Sequence, residues 1–413
     1  MDELLRGDAQ KIIAHAIREV QPNAAVRRVL AGKTFPGRVV LVAAGKAAWQ
    51  MAKTAWDCLG NAICDGVVIT KDGHSQGPIG HLRCLEASHP VPDQRSFDAA
   101  QAALDLVSGL EAEDTVLFLL SGGGSALFEK PLVSGETLQD ITQQLLACGA
   151  DIGEINTIRK RLSAVKGGRF AKSCAPARVC SIILSDVVGD KLDVIASGPA
   201  CPDPTTCRQA MEIAAKYQLQ LPPQAQQLLQ TETPKELDNV ETHITGSVRY
   251  LVAAAADCCR ALGYRPVILT DSLCCQAREA GSFLAAIARQ YAGGEKLAFL
   301  CGGETVVKLT GAGKGGRNQE LALSAADGIR ELPGVCVFSV GSDGTDGPTD
   351  AAGGVVTGSS ARLLEQQGIS IHQTLENNDS YHALDTIGAL VRTGPTGTNV
   401  NDLSVVLIGG ENR

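Results

Sequence analysis

The feature that most constrains the fold is a regular alternation of two kinds of segment between residues 38 and 184. Short apolar runs rich in β-branched residues, such as RVVLVAA and TVLFLL, are separated by longer stretches with helical spacing, such as GKAAWQMAKTAWDCL. Runs of this kind are typical of strands buried on both faces of a parallel sheet, and the stretches between them supply crossover helices. The sequence therefore predicts an α/β fold with a mostly parallel first sheet and helices on both faces.

A polar passage over residues 218–240 (QLQLPPQAQQLLQTETPKELDNV) precedes a second set of apolar runs. Its composition indicates a domain boundary, and we place a parallel-sheet domain at 37–236 and a second α/β domain at 1–36 and 237–413. Only four residues separate KLAFL from TVVKLT in the second domain. Because so short a connection allows an antiparallel hairpin but no crossover helix, we predict a mixed second sheet. The active site is expected in the interdomain cleft.

Composition and charge exclude several classes of function. The net charge of −8 and the pI near 5.5 disfavour a polyanionic partner, so we expect no nucleic-acid binding. No apolar run approaches the roughly 18 residues of a membrane span, and the polar start MDELLRGDAQ is unlike a signal peptide. The 14 cysteines are scattered without a CxxC pair, which is typical of reduced thiols in a cytoplasmic protein. We expect small-molecule partners, and the residues leave a homo-oligomer open.

The apolar segment TVLFLL is followed directly by SGGGS, in which three glycines stand between two serines: Ser121, Gly122, Gly123, Gly124 and Ser125. A buried strand that ends in consecutive glycines exposes backbone N–H groups that can turn toward one anion. A flexible linker is the alternative. A nucleophile elbow is excluded because Leu127 stands where the G-x-S-x-G pattern requires glycine. The segment SGGGS is therefore predicted to bind an anion.

Two cationic residues stand at similar turns into predicted helices. Lys46 follows RVVLVAAG, and Arg317 follows the glycine-rich LTGAGKGG. Two cations together with several amides can hold a phosphate, which is the role we predict, although each can also be a solvated side chain at a helix start. Lys46 is not part of a P-loop, since Val40 occupies the upstream glycine position. The GxGxxG string of Gly311–Gly316 is discounted as a nicotinamide site because no buried parallel strand is expected before it.

Other charged residues supply further candidates. The basic segment 156–172 places Arg159 and Lys166 seven residues apart on one helix face, which predicts either a bound carboxylate or phosphate or a solvated face. Aspartates follow two predicted strands, and Mg²⁺ prefers one or two carboxylates together with phosphates. The candidate magnesium ligands are Asp186, Asp190 and Asp343. Three histidines show no metal-ligand spacing and are predicted to be structural: His74, His81 and His89.

A series of short motifs runs through nearly the whole chain in a fixed order: GKAAW, HPVPD, SGGGSAL, NTIRKRLSAVKGGR, LSDVVGD, IASGP, GGET, GRNQE, SDGTDGPTDAAGG and TGPTGTNVNDL. This order resembles the class II glycerate kinases, whose carboxyl-terminal part is called the MOFRL domain. The resemblance implies a Rossmann-like domain, a first helix that packs on the second domain, and catalytic roles for Lys46 and Arg317. We assign Asn318, in the GRNQE motif, to substrate or phosphate binding.

The resemblance further implies the function of a glycerate 2-kinase, which uses ATP and Mg²⁺ to phosphorylate D-glycerate on its 2-hydroxyl, and this is the function we predict. Positioning and neutralisation of charge are the main requirements of phosphoryl transfer, and glycine amides, lysine, arginine and a metal ion supply them. Two alternatives are an NAD(P)H-dependent hydroxypyruvate reductase, supported by the GxGxxG string, and a non-catalytic sensor that binds a small organic acid through SGGGS. The residues identify no general base and leave the choice between the 2- and 3-hydroxyls open.

Overall fold

The computed structural model describes residues 1–410, in which the chain forms two compact units. The parallel-sheet unit is Ala25–Thr245, and the mixed-sheet unit combines Met1–Ala24 with the residues from Gly246 onward. The α-helices are α1 (Asp2–Glu19), α2 (Pro22–Leu30), α3 (Ala48–Leu59), α4 (Gln94–Val107), α5 (Gly124–Leu127), α6 (Gly135–Ala147), α7 (Ile152–Arg161), α8 (Arg169–Ser173), α9 (Cys207–Lys216), α10 (Pro223–Leu229), α11 (Val248–Ala261), α12 (Ala277–Tyr291), α13 (Arg317–Gly328), α14 (Ser360–Gln366), α15 (Ile371–Glu376) and α16 (Ser380–Thr386). The strands are β1 (Val39–Ala44), β2 (Ile63–Lys71), β3 (Arg83–Ala87), β4 (Thr115–Leu120), β5 (Arg178–Leu184), β6 (Val240–Gly246), β7 (Arg265–Leu273), β8 (Leu297–Gly303), β9 (Val335–Gly341), β10 (Gly353–Thr357), β11 (Leu390–Val391) and β12 (Asp402–Ile408).

The parallel-sheet unit is built on a six-stranded sheet in the order β3-β2-β1-β4-β5-β6. β1 pairs in parallel with both β2 and β4, while β2 pairs in parallel with β3 and β4 with β5. Every residue of β1 and β4 is buried, as expected of central strands covered on both faces. The predicted parallel sheet is confirmed. Because its strands run in one direction, the loops after β1, β4 and β5 meet at one edge.

Alternate residues of the central strands pack on opposite faces of this sheet. Val42 of β1 shares a core with Ala100 of α4, whereas its neighbour Leu41 lies in a second core with Met51 of α3. Helices therefore cover both faces, and the loops at the carboxyl edge rise from a rigid base.

The mixed-sheet unit contains a six-stranded sheet in the order β11-β10-β9-β12-β8-β7. β7 and β8 are parallel, whereas β12 pairs antiparallel with β8 and β9, and β10 pairs antiparallel with β9 and β11. The core joins Ile12 and Ala16 of α1 to Val252 of α11 and Phe338 of β9. The first helix thus belongs to this unit, and the predicted mixed sheet is confirmed.

The predicted hairpin between KLAFL and TVVKLT is wrong. KLAFL lies in β8, but the only bridge of the TVVKLT segment within the described residues is a parallel one from Val306 to Gln276. The antiparallel pairs of this sheet are β8 with β12, β12 with β9, β9 with β10, and β10 with β11. The sequence did not reveal β10 and β11. β10 begins with two glycines and β11 has 2 residues, so neither shows the longer apolar run by which the other strands were recognised.

The parallel-sheet unit begins earlier and ends later than the domain predicted from the sequence. Residues 25–36 and 237–245 lie in the parallel-sheet unit. Val26 of α2 packs in the core of that unit, and β6 forms the edge of its sheet beside β5. The polar passage 218–240 lies inside the parallel-sheet unit, where α10 buries Ala225 and Leu229, and the unit ends shortly after it at Thr245.

Among residues 1–410, none of the helices combines the length and the apolar character needed to span a bilayer.

All 14 cysteines are unpaired, and burial raises the pKa of Cys174 and Cys336 to about 12, so these two stay neutral thiols.

The basic segment 156–172 is partly buried rather than a fully solvated helix face. Asp203, which is 1% exposed, lies 3.2 Å from the ammonium of Lys160 and 3.7 Å from the guanidinium of Arg161. Its carboxylate also accepts a hydrogen bond from the hydroxyl of Thr233 at 2.7 Å. Burial raises the pKa of Asp203, but the hydrogen bond from Thr233 and the charge of Lys160 outweigh it, so this pKa lies below its ordinary value.

Replacing Asp203 tests this buried network. We expect Asp203→Ala to lower the free energy of unfolding of the parallel-sheet unit by about 3–5 kcal/mol, because two buried cations lose their carboxylate. The measurement is urea unfolding followed by circular dichroism. The control is Glu212→Ala, which removes a side chain that is 63% exposed and 3.9 Å from Arg208; such a surface pair contributes roughly 0–1 kcal/mol. Equal stabilities of the two variants would contradict the assignment.

Candidate functional site

The loops after β1 and β4 are joined directly at the carboxyl edge of the parallel sheet. The backbone N–H of Lys46 donates to the carbonyl of Gly122 at 2.9 Å, and the N–H of Ala47 donates to Oγ of Ser121 at 3.0 Å. Ser121 is 3% exposed. Its hydroxyl therefore braces the two loops, and this brace fixes Lys46 beside the glycine run.

The glycines of this loop bring other side chains against its backbone. Gly123 has a φ of +86°, which favours glycine, and a Cβ there would lie 3.1 Å from Cγ of Lys46 and 3.2 Å from Nε2 of His89. A Cβ on Gly122 would lie 2.3 Å from Oδ2 of Asp186, closer than atoms can approach. Lys46, His89 and Asp186 therefore surround the glycine loop, Ser121–Ser125.

The glycine loop presents unused hydrogen-bond donors. In the part of the chain that the structure describes, no backbone carbonyl accepts from the N–H of Gly122, Gly123 or Ser125. The ammonium of Lys46 likewise has no hydrogen-bond or ion-pair partner among residues 1–410. Backbone amides without an acceptor, next to a cationic side chain, are groups that bind anions in proteins.

The two predicted anion ligands of the basic segment lie beneath the glycine loop. Lys166 is fully buried, donates to the carbonyls of Ser125 at 2.9 Å and Phe128 at 3.1 Å, and lies 3.4 Å from the carboxylate of Glu129. Arg159 donates to the carbonyl of Ser125 at 3.3 Å and keeps 15% of its side chain exposed. Burial lowers the pKa of Lys166 to about 8, although Glu129 opposes the shift. Protein groups enclose Lys166, so a direct contact with a bound anion is not supported.

The loop after β5 carries two of the predicted magnesium ligands. Asp186 lies against Gly122, and Asp190 has a φ of +51°. Oδ1 of Asp190 is buried and has no hydrogen-bond partner among the described residues. A buried carboxylate oxygen without a donor is costly unless a cation or water satisfies it. This donor set therefore fits a divalent cation.

Arg317 begins α13 in the mixed-sheet unit, where the ends of three strands meet. The register pairs Asp402, the first residue of β12, with Gly303 and Gly341 at the ends of β8 and β9. Arg317 donates to the carboxylate of Asp402 from Nε at 2.5 Å and from Nη2 at 3.0 Å, and its Nη1 lies 3.0 Å from Glu304. Burial raises the pKa of Asp402, while Arg317 opposes the shift. These carboxylates fix the orientation of a guanidinium whose side chain is 34% exposed.

The amino end of α13 is anchored by Asp346. Its carboxylate accepts from the backbone N–H groups of Asn318 at 3.1 Å and Gln319 at 2.9 Å. Burial raises the pKa of Asp346 to about 6, although these donors favour the charged form. Asn318 is 1% exposed, and its carbonyl oxygen accepts from the hydroxyl of Ser339 at 2.6 Å. Asn318 therefore ties the helix start to β9, and its predicted contact with substrate or phosphate is not supported.

The third predicted magnesium ligand, Asp343, lies in the turn after β9. Its Oδ1 accepts from the N–H of Thr345 at 3.0 Å, which stabilises that turn. Asp343 belongs to the mixed-sheet unit, whereas Asp186 and Asp190 belong to the parallel-sheet unit. Neither unit by itself brings the three aspartates together.

A different group of side chains has metal-ligand spacing. In residues 1–410, ligand atoms of Cys180, Glu241 and His243 lie within 4.8 Å of one another. The ammonium of Lys33 lies 2.8 Å from Glu241 and 3.0 Å from His243. A protein cation already occupies this group, and it needs no metal ion to balance its charge.

Three residues at these positions were not singled out as functional from the sequence. His89 was predicted to be structural, yet within residues 1–410 neither of its ring nitrogens has a hydrogen-bond partner. Glu304 and Asp402 lie in the GGET and TGPTGTNVNDL motifs, but only the strand register places them around Arg317. The signal for all three was their presence in motifs that carry the family resemblance.

Comparisons with known proteins extend over both units. Residues 8–230 match a family described as a domain of unknown function (DUF4147), and residues 297–402 match the MOFRL family. The D-glycerate 2-kinase of Thermotoga maritima is 51% identical, with 98% of this chain and 99% of that protein covered. A protein of Agrobacterium vitis whose name proposes a hydroxypyruvate reductase is 40% identical, with 97% of this chain and 94% of that protein covered. The crystal structure of a glycerate kinase from Thermotoga maritima superimposes with a TM-score of 0.96 at 50% identity, covering 98% of this chain and 100% of that one.

The match at 51% identity runs almost from end to end of both proteins, and the superposition extends over both sheets. The chain therefore belongs to the glycerate kinase family whose carboxyl-terminal part is the MOFRL domain.

Proposed function

We propose that this chain is a glycerate 2-kinase, which transfers the γ-phosphoryl group of ATP to the 2-hydroxyl of D-glycerate and releases 2-phosphoglycerate and ADP. The observation that carries the proposal is the glycine loop, whose N–H groups without a backbone acceptor lie beside the side chain of Lys46, a cation with no partner among residues 1–410. The relative that is 51% identical to this chain is named D-glycerate 2-kinase, and its name supports the same acceptor here.

The glycine loop and Lys46 supply what phosphoryl transfer requires of a protein. The reaction needs little covalent chemistry, but it needs the reactants positioned and the charge on the transferred group neutralised. Amides fixed in advance hold the carboxylate of D-glycerate or a phosphate without reorganising. Because no carboxylate neutralises Lys46 within the described chain, its charge is available to the transferred phosphoryl group.

Arg317 is the second cation, and we propose that it binds phosphate oxygens of the transferred group during catalysis. A guanidinium carries five N–H donors, and the contacts with Asp402 and Glu304 orient it through Nε, Nη1 and Nη2. The remaining donors can bind phosphate oxygens in a fixed direction. The proposed role of Arg317 rests on this orientation and on the resemblance of the GRNQE motif.

Magnesium fits the loop after β5, and Asp186 and Asp190 are the residues that would hold it together with the phosphates of ATP. The support is the buried Oδ1 of Asp190, which lacks a donor among the described residues. When bound, the ion supplies positive charge to phosphate oxygens. The role of Asp343 as a magnesium ligand stays a prediction for the mixed-sheet unit.

The unpaired cysteines fit a reducing compartment, so a cytoplasmic location is part of the proposal.

The alternative of a hydroxypyruvate reductase depends on the GxGxxG string, and the contacts of that string argue against it. The amides of Thr310, Gly311 and Ala312 donate to side chains of Asn377 and Asn378 at 2.7–3.2 Å. Those of Gly313 and Lys314 also have acceptors, in the same 377–379 segment. A dinucleotide site needs such amides free for the pyrophosphate, and here they are used to hold a loop.

The direct test is phosphorus NMR of the wild-type protein with ATP, MgCl₂ and D-glycerate. We expect signals of ADP and 2-phosphoglycerate. The control replaces ATP and D-glycerate by NADH and hydroxypyruvate, and loss of NADH absorbance there would favour the reductase. Formation of 3-phosphoglycerate would contradict the proposed position of transfer.

Lys46→Met tests the unpaired cation. We expect kcat to fall on the order of 10²–10³-fold, the loss typical when one preorganised donor to a transition-state anion is removed. The melting temperature should not change, because the ammonium of Lys46 has no protein partner in residues 1–410. The matched control is Lys53→Met on α3, which breaks a half-exposed pair with Asp57 and should leave kcat unchanged. Turnover of Lys46→Met close to that of the control would remove Lys46 from the site.

Arg317→Lys tests the oriented guanidinium while a positive charge stays beside buried Asp402. We expect kcat to fall about 10³-fold, since a lysine cannot reproduce the bidentate geometry of an arginine that contacts the transferred group. The control, Arg330→Lys, alters an arginine that is 39% exposed and paired with Asp327. Steady-state kinetics and thermal melting separate the outcomes: a folded Arg317→Lys with normal kcat would refute the role.

A further inference from the structure

His89 lies against the glycine loop with its imidazole unengaged. It stands just beyond β3, and a Cβ on Gly123 would lie 3.1 Å from its Cδ2 and 3.2 Å from its Nε2. The same Cβ would lie 3.1 Å from Cγ of Lys46. The imidazole and the lysine side chain therefore flank one point of the loop. Within residues 1–410, neither ring nitrogen of His89 has a hydrogen-bond partner.

The surroundings of His89 keep its imidazole neutral. Burial lowers the pKa of His89, and electrostatic interactions with Lys46, Lys71 and His74 lower it further. A neutral imidazole has one nitrogen with a free lone pair. The charge of Lys46, the cation proposed to bind the transferred phosphoryl group, acts on this imidazole, so the ring lies in the region where a proton acceptor for the attacking hydroxyl has to be.

We propose that His89 is the general base that accepts the proton of the 2-hydroxyl of D-glycerate, an inference that rests on the proposed kinase function. In the step, a bond forms between the 2-oxygen and the γ-phosphorus while the bond from that phosphorus to the β,γ-bridging oxygen breaks. The electron pair of the broken bond leaves with ADP, and the hydroxyl proton passes to a ring nitrogen of His89. The imidazolium releases this proton to solvent before the next turnover.

Other ionisable groups near the glycine loop are less suited to this role. Lys46 carries a positive charge and has no lone pair to accept a proton. Asp186 borders the loop at Gly122 and already has an interaction partner within the protein. His74 directs Nδ1 to the backbone carbonyl of Lys46 at 3.1 Å. His89 combines closeness to the glycine loop with an unengaged nitrogen.

The experiment measures kcat as a function of pH for the wild type and His89→Gln at saturating ATP, Mg²⁺ and D-glycerate. The wild-type kcat should rise with pH and reach a plateau, with its midpoint below the ordinary pKa of a histidine, because burial and nearby charges lower the pKa of His89 and only the neutral imidazole accepts a proton. His89→Gln should lose about 10²–10⁴-fold in kcat, with the KM for D-glycerate nearly unchanged and the acidic fall absent. The control is His372→Gln, whose side chain is 82% exposed and which should behave as wild type.

Each outcome decides the question. Partial recovery of His89→Ala by added imidazole would support the proposal. A kcat of His89→Gln within about fivefold of wild type, a loss confined to KM, or an unchanged acidic fall would overturn it. Should both variants fail to fold, a wild-type kcat that shows no acidic fall down to the pH at which the protein unfolds overturns it as well. A wild type that forms no phosphoglycerate refutes the proposed function, whereas equal turnover by wild type and His89→Gln refutes only the role of His89.

Discussion

The glycine loop depends on a buried ammonium. Lys166 donates to the carbonyls of Ser125 and Phe128, and it does so from a fully buried position beside the carboxylate of Glu129. Consecutive glycines have little conformational preference of their own, so they do not by themselves fix the direction of their N–H groups. Lys166 holds one end of the loop and the hydroxyl of Ser121 holds the other. The amides between them are therefore fixed before any anion arrives.

The two proposed catalytic cations are held in opposite ways, and the chemistry of each side chain explains the difference. Arg317 is bound to two carboxylates. These contacts are compatible with phosphate binding, because a guanidinium stays protonated and keeps donors free when one edge is occupied. An ammonium is a point charge, and a carboxylate partner would cancel most of its field. Lys46 has no such partner among residues 1–410. One cation is thus fixed in direction, while the other keeps its charge for the substrate.

Local patterns in the sequence predict the elements of the parallel-sheet unit, but not the contacts that depend on distant residues. The apolar runs identify β1 and β4, and the glycine run identifies the loop that follows β4. The spacing of Arg159 and Lys166 places both on one helix face, but both donate to the carbonyl of Ser125, a protein group that the sequence did not indicate as their partner. Both cations also pair with the carboxylate of Glu129. No local pattern in the sequence reveals that Glu129 is buried beside Arg159 and Lys166.

The hairpin prediction was wrong for the same reason, since strand pairing in this sheet depends on residues that are distant in the sequence. TVVKLT has the β-branched composition of a strand, but β8 is paired on one side with β7 and on the other with β12. A strand can pair with only two neighbours in a sheet, so a segment that follows β8 in sequence has no free edge of β8 to join. The same pairing with β12 brings Asp402 to the end of β8. A long-range strand pair therefore both prevents the local hairpin and builds the site around Arg317.

The electrostatics of the glycine loop also favour a histidine over a carboxylate as the proton acceptor. A carboxylate in the place of His89 would be drawn to Lys46 and would neutralise the charge that the phosphoryl group requires. A neutral imidazole accepts a proton without first cancelling that charge. The imidazolium that forms is disfavoured by Lys46, Lys71 and His74, but it forms as the phosphate ester, an anion, forms beside it. The same repulsion then drives the proton off the imidazole once the product has left, which returns His89 to its neutral state.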